Sequence, residues 1–236
     1  MPVLTMSGID KSTLLWYLIK ELRYKNVHVL TFNYKQRNVK EIEHAKLVVE
    51  HARENLNAEI EHKIVDITGI HELIARGALT GNEEIPVGFY TDEIQKVTIV
   101  PNRNMILLAI AVGYAIKVKT KKVFHAAHKS DYAIYPDCRK EFVKALDTAV
   151  YLATIFEPVE VKAPFVDMTK VKVVKLGLKL GVPYELTWSC YKGGERPCLK
   201  CPTCLERTEA FLLKNISDEE WKRAVEIYEK FKRLTS

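Results

Sequence analysis

The chain has 236 residues, 47% of them hydrophobic and 28% charged, a size and composition that suit one α/β domain with a small appendage and exclude neither a real core nor a second small domain. No apolar run approaches the roughly 18 residues that span a bilayer, and the start, Met1 to Thr5, has neither a basic nor a long apolar leader segment, so a cytoplasmic address away from membranes is expected. The net charge of +6 comes from interspersed Lys, Arg and Glu without a long basic block, so a solvated surface is expected and direct nucleic-acid binding is not; attraction to small anions is the alternative.

The first third alternates two hydrophobic periods. Pro2 to Met6 is a short apolar strand ending at Ser7-Gly8. Ile9 to Lys25 places Leu14, Leu15, Leu18, Ile19 and Leu22 at helical spacing. Val27 to Phe32 is a second strand. Val39 to Asn55 is an amphipathic helix with Ile42, Ala45, Val48, Val49 and Ala52 inward, and Ile60 to Ile67 is a third strand. This β-α-β-α-β order predicts a parallel sheet.

Residues 68–98 are punctuated by glycines and Pro86 and predict a loop or lid. Then follow a helix from Asn102 to Val118, a fourth strand from Val123 to Ala127, a helix from Arg139 to Phe156, a fifth strand from Val159 to Ala163, and a helix from Lys170 to Leu180 stopped by Gly181 and Pro183. Helices over about Thr203 to Lys214 and Ser217 to Leu234 close the chain. The expected division is a nucleotide-binding α/β domain over 1–185 and a metal-binding helical segment over 186–236.

Four of the five cysteines fall in fifteen residues: Cys190, Cys198, Cys201 and Cys204, with two C-x-x-C units sharing Cys201. A C-x-x-C turn points two thiolates into one tetrahedron and offers backbone N–H groups to the sulfurs. Gly193 and Gly194 let the chain fold back so that Cys190 can be the fourth ligand. One structural Zn²⁺ per chain is the expected occupant, and an Fe–S cluster is the rival. A complete Cys₄ shell leaves no open position, so the ion is expected to staple the segment and not to activate water.

Between the first strand and first helix lies Ser7-Gly8-Ile9-Asp10-Lys11-Ser12-Thr13. A helix amino end binds phosphate through unpaired N–H groups and its partial positive charge, and the hydroxyls of Ser7, Ser12 and Thr13 can add donors. A plain capped helix is the alternative, because the flanking glycines of a Walker loop are missing.

Further residues carry a family resemblance. Tyr34, Gln36, Arg37 and Glu41 follow the second strand. Val100-Pro101-Asn102-Arg103-Asn104 precedes the central helix. Asp131 is followed by Tyr135-Pro136-Asp137-Cys138-Arg139, and Thr187-Trp188-Ser189-Cys190-Tyr191 leads into the remaining cysteines and Arg207. Taken with Lys170 and the run Leu180 to Tyr184, these residues resemble the 7-cyano-7-deazaguanine synthases, the QueC family of PP-loop ATP-using ligases. The resemblance spans nearly the whole chain.

It implies a five-stranded parallel, doubly wound sheet of order 3-2-1-4-5 with the zinc segment beside the active site. It implies ATP-dependent conversion of 7-carboxy-7-deazaguanine and ammonia to the nitrile used in queuosine and archaeosine tRNA modification, with Mg²⁺ accompanying ATP and a homodimer as a possible assembly. On that resemblance Ser7, Ser12, Lys11 and Arg103 are the expected catalytic groups. Ser7, Gly8, Ile9, Asp10, Lys11, Ser12 and Thr13 are expected to hold ATP. Tyr135, Asp137, Arg139 and Lys170 are expected to hold the deazapurine and its carboxylate. Cys138 is expected to be a buried small residue, and His125 and His128 receive no role.

The family loop reads Ser-Gly-Gly-x-Asp-Ser, whereas Ile9 and Lys11 here replace the second glycine and the aspartate. Asn33, Lys35, Ala126 and Ser130 depart from the pattern as well. Asp10 taking over the missing carboxylate, Lys11 meeting phosphate directly, and a loop that binds without turnover are the three readings. A non-catalytic relative that keeps the deazapurine pocket, or another PP-loop enzyme acting on a different acid or tRNA base, are the corresponding alternatives in function.

Overall fold

The computed structural model describes residues 1–6, 8–131 and 135–213. Ser7 and the expected helix from Ser217 to Leu234 lie outside the described residues. The elements run β1 (Val3–Thr5), α1 (Gly8–Lys20), β2 (Asn26–Asn33), α2 (Lys40–Asn55), β3 (Glu59–Asp66), α3 (His71–Ile74), α4 (Gly77–Thr80), α5 (Asp92–Thr98), α6 (Arg103–Lys117), β4 (Lys122–Phe124), α7 (Lys140–Ala153), β5 (Glu160–Lys162), α8 (Lys170–Leu180) and α9 (Pro202–Leu212). The five strands form one parallel sheet of order β3-β2-β1-β4-β5, as the resemblance implied.

Alternation along the strands divides the core. Leu4, Val27, Val29 and Phe124 face α1, α2 and α8, where Leu14, Leu18, Val49 and Val173 are buried. Val3, Leu30, Phe32 and Val123 face the other side, against Leu108, Ala111, Leu146 and Val150 of α6 and α7. The central strand β1 is buried at every residue, as a strand covered on both faces must be.

Differences from the sequence reading sit at element ends. The first helix stops at Lys20 and not at Lys25, because the Glu21 and Leu22 N–H groups both turn onto the Tyr17 carbonyl and Arg23 takes a left-handed φ of 60°. Residues 68–98 carry the short helices α3, α4 and α5 inside the expected loop. Among the described residues no single helix is long and apolar enough to cross a membrane; α5 and α6 reach that measure only together, bent by 41°.

The strand order reverses between β1 and β4. In open parallel sheets the crevice beyond the carboxyl ends at such a reversal is where ligands sit. Here β1 leads into the Gly8 turn and β4 into His125-Ala126-Ala127-His128.

Candidate active site and candidate metal centre

A cavity of about 160 Å³ opens at this reversal, its wall built from the loop after β1, the segment after β2, the start of α6, the segment after β4, Lys170 and the cysteine segment. Gly8 begins α1 with a φ of +63°, a conformation natural to glycine, and brings the loop's backbone against the cavity. Ile9 is 2% exposed, lines the cavity and packs in the core cluster, and the cavity is open with the side chain that replaces a glycine in place. Lys35, also in place of a family glycine, keeps the left-handed backbone with a φ of 63°.

Lys11 and Arg103 form a cationic side of the wall. Burial, then the Arg103 charge, lowers the Lys11 pKa, while Glu41, Cys138 and Asp10 oppose that. Arg103 lies 5.9 Å over the Tyr135 ring. Burial works against its charge, but Tyr34, Tyr135 and Asp137 more than restore it, so it stays protonated. Glu41 faces both cations; burial lifts its carboxyl to about 7, further than Lys11 and Arg103 pull it down.

The opposite side is an ionic network. Lys170 Nζ lies 2.6 Å from Asp10 Oδ2 and 3.6 Å from Glu206 Oε2. His128 Nε2 lies 3.4 Å from both Asp10 Oδ2 and Asp131 Oδ2. Burial alone would raise Asp10, yet Lys170 and His128 hold its carboxyl far below the usual range. Burial alone would depress His128, yet Asp131 and Asp10 hold it up at about 9. His125 also lines the cavity. Among the described residues its ring nitrogens have no hydrogen-bond partner, and burial followed by the charges of Lys11 and Arg103 pushes its pKa to about 3, so it presents a neutral imidazole.

Three phenols converge at the cavity's far end. Tyr191 OH is 2.7 Å from Tyr90 OH and 3.2 Å from Tyr135 OH. Tyr90 comes from the 81–91 loop and Tyr191 directly follows Cys190, so the phenols tie the loop, the β4 segment and the cysteine segment together. The Gly88 N–H donation to the Lys200 carbonyl, 2.9 Å, repeats that link.

Some expected site residues point elsewhere. Ser12 Oγ donates to the Gly8 carbonyl at 2.7 Å. Thr13 Oγ1 donates to the Ile9 carbonyl at 3.0 Å and meets Tyr184 OH at 2.7 Å. Both hydroxyls turn back along the helix, the usual competition of Ser and Thr for the preceding turn, and neither side chain lines the cavity. Asp137 accepts from the Asn104 N–H at 3.1 Å, answering an orphan donor at the start of α6, and does not line the cavity. Arg139 is exposed outside the wall. Lys170 is in the wall, where its ammonium is held by Asp10 and Glu206. Gly8, Ile9, Asp10, Lys11, Arg103 and Tyr135 are brought together as expected.

The four clustered cysteines are free thiols whose sulfurs all lie within 4.8 Å of one another. A tetrahedral ion with Zn–S bonds near ~2.3 Å separates its sulfurs by about 3.8 Å, so the set fits one ion after small side-chain adjustments. The Cys198 N–H points at Cys190 Sγ (3.4 Å) and the Cys201 N–H at Cys198 Sγ (3.3 Å), the orientation that stabilises thiolates. Gly193 has a φ of +60°, and a Cβ there would lie 2.7 Å from the Arg37 carbonyl, so the fold-back needs glycine. Trp188 packs with Cys190, Cys201 and Cys204 and donates to the Cys190 carbonyl at 2.9 Å. Arg207 donates to the Tyr184 carbonyl and to Thr187, strapping α9 onto the segment.

With this geometry in place, the family assignment follows from comparison. The model described as "Queuosine biosynthesis protein QueC" matches residues 2–215. The chain belongs to the QueC family. The QueC chain is 63% identical over 235 residues to the 7-cyano-7-deazaguanine synthase of Archaeoglobus fulgidus, covering 98% of this chain and 95% of that protein. It is 49% identical over 204 residues to the namesake of Hahella chejuensis, covering 86% and 84%. Among solved structures it is similar in fold to the U34-tRNA thiolase NcsA from Methanococcus maripaludis with its [4Fe-4S] cluster, at a TM-score of 0.50 and 17% identity, over 99% of this chain and 71% of that one. The sequence reading of this QueC chain placed Glu41 in the resemblance without a site role, gave His125 and His128 no role, and did not single out Glu206. The histidine pair three apart, just past β4 at the strand-order reversal, is the signal that points to the two imidazoles.

Proposed function

We propose that this chain is a 7-cyano-7-deazaguanine synthase, an ATP-dependent carbon–nitrogen ligase of queuosine and archaeosine biosynthesis that works in the cytoplasm. The observation that carries the reading is the position of Ile9 and Lys11. The loop departs from its family pattern at both, yet Ile9 is folded into the core and Lys11 joins Arg103 on the wall of an open cavity. A cationic wall at a helix amino end suits a triphosphate.

In this reading Lys11, Arg103 and the backbone after Gly8 hold the ATP phosphates, with Mg²⁺ supplying further charge neutralisation. Tyr135 and Tyr191 offer flat rings and hydroxyls to the deazapurine, and the unpartnered His125 offers a hydrogen bond. A substrate carboxylate oxygen bonds to the α-phosphorus as the bond to pyrophosphate breaks. Ammonia adds to the activated carbonyl carbon, AMP departs and a proton is lost, leaving the amide. A second ATP activates the amide oxygen in the same way; loss of AMP and of the two amide protons leaves the nitrile. The chain's part is to align the reactants and to stabilise the departing phosphates.

The four thiolates are assigned to Zn²⁺, whose closed shell makes it a staple for the Tyr191 side of the cavity. The described part of the segment 186–236, up to Leu213, is then an appendage that completes the pocket of 1–185. Incubation with ATP, Mg²⁺, 7-carboxy-7-deazaguanine and ¹⁵N-ammonium is expected to yield nitrile carrying one ¹⁵N, read by mass spectrometry. Deazapurine binding with no ATP consumed would assign the chain to a non-catalytic relative.

A further inference from the structure

The network opposite the cationic wall gathers three carboxylates with side chains at most 20% exposed, Asp10, Asp131 and Glu206, around the Lys170 ammonium and the His128 ring. Part-buried carboxylates crowded together favour a cation among them.

His128 gives the independent pointer. Its side chain is 1% exposed, and among the described residues neither ring nitrogen makes a well-aligned hydrogen bond. The ring sits 3.4 Å from the nearest carboxylate oxygens, too far and poorly aligned to satisfy it, although it is aimed between them. The turn Lys129–Asp131, closed by the Asp131 N–H on the His128 carbonyl at 3.0 Å, puts His128 and Asp131 on one side. Glu206 arrives from α9, two residues after Cys204. One ligand atom from each of His128, Asp131 and Glu206 can be chosen so that all lie within 4.8 Å of one another. Bonds of about 2.1 Å to one ion would bring them to roughly 3–4 Å apart, a change within side-chain reach.

We propose that His128, Asp131 and Glu206 form a second divalent-cation site, separate from the four thiolates and formed without nucleotide. One imidazole and two carboxylates select an ion that accepts both nitrogen and oxygen, in the class of Mn²⁺, over one that strongly prefers all-oxygen surroundings. The ion sits where the His128 ring faces Asp131, with Glu206 and not Asp10 as the second carboxylate, and Lys170 gives up its 3.6 Å contact with Glu206 while keeping Asp10. Because Glu206 belongs to the cysteine segment, the site also fastens that segment to the β4 loop. The proposal is independent of the ligase reading, since it concerns the nucleotide-free chain.

The test is electron paramagnetic resonance of Mn²⁺ titrated into the full, zinc-loaded chain without ATP. The expected result is one bound Mn²⁺ per chain with a ¹⁴N coupling from one imidazole. His128→Ala abolishes the coupling, and His128→Ala and Glu206→Gln each weaken binding at least tenfold while zinc content stays at one per chain. If Mn²⁺ remains free at millimolar concentration, or binds in the unaltered chain without nitrogen coupling, the proposal is overturned.

Discussion

Lys170 Nζ and Asp10 Oδ2 stand 2.6 Å apart and join the first turn of α8 to the first turn of α1 across 160 positions of sequence. Lys170 is 12% and Asp10 20% exposed, so the pair is shielded from solvent and each charge depends on the other. Lys170→Met leaves Asp10 with His128 as its remaining close cation. It is expected to cost ~3 kcal/mol of stability, read as a lowered urea midpoint with an unchanged slope. An unchanged midpoint would mean that the pair contributes no net stability.

Glu41 sets a pH dependence. Its carboxyl rises from 4.5 to about 7 in the folded chain, with burial as the main cause. Between those values the folded chain binds the proton more tightly than the unfolded chain. Glu41's contribution to stability is therefore highest below about 4.5, falls as pH rises and levels off above about 7. Glu41→Gln removes that slope, so the variant's gain over the parent in urea unfolding should grow from pH 5 to pH 8. The same ionisation adds a negative charge beside Lys11 and Arg103, so the parent's ATP affinity should fall over this range and the variant's should stay flat.

The thiolate site predicts a spectroscopic result. Cys201 is fully buried at the junction of both C-x-x-C units. In Co²⁺-substituted protein the parent should show sulfur-to-metal absorption of a tetrahedral thiolate site, and Cys201→Ser should weaken metal binding by at least about tenfold. Retained stoichiometric metal in the variant would place the ion elsewhere.

Gly193→Ala tests the fold-back that delivers Cys190. The left-handed φ and the 2.7 Å approach to the Arg37 carbonyl both oppose a Cβ. A loss of about 1–3 kcal/mol is expected, measured as a lower thermal midpoint of the metal-loaded protein.

Much of the fold was legible because local pattern and tertiary role agree. Strands such as β1 and β2 are apolar runs buried on both faces, and Gly181 ends α8 with a left-handed φ of 78° where the sequence reading stopped that helix. The cysteine cluster was legible because its ligands are close in sequence. The ionic network was not, since Asp10, His128, Lys170 and Glu206 meet only after β1, β4, α8 and α9 are assembled. The direction of the Ser12 and Thr13 side chains was not legible for a different reason: both residue types suit a phosphate cradle, and only the helix geometry shows their hydroxyls bonded to the carbonyls four residues earlier. The bond from the Asn104 N–H to Asp137 was not legible either, because the two residues lie 33 positions apart.

The most direct measurement is the product ratio in a reaction of the purified chain with 7-carboxy-7-deazaguanine, ATP, Mg²⁺ and ammonium. Two activations of one carboxylate oxygen pair predict two AMP formed for each nitrile, with the amide seen transiently. Nitrile formation at that ratio supports catalysis by a loop containing Ile9 and Lys11. Amide or unchanged acid as the only end product, or AMP release that does not depend on the deazapurine, contradicts it.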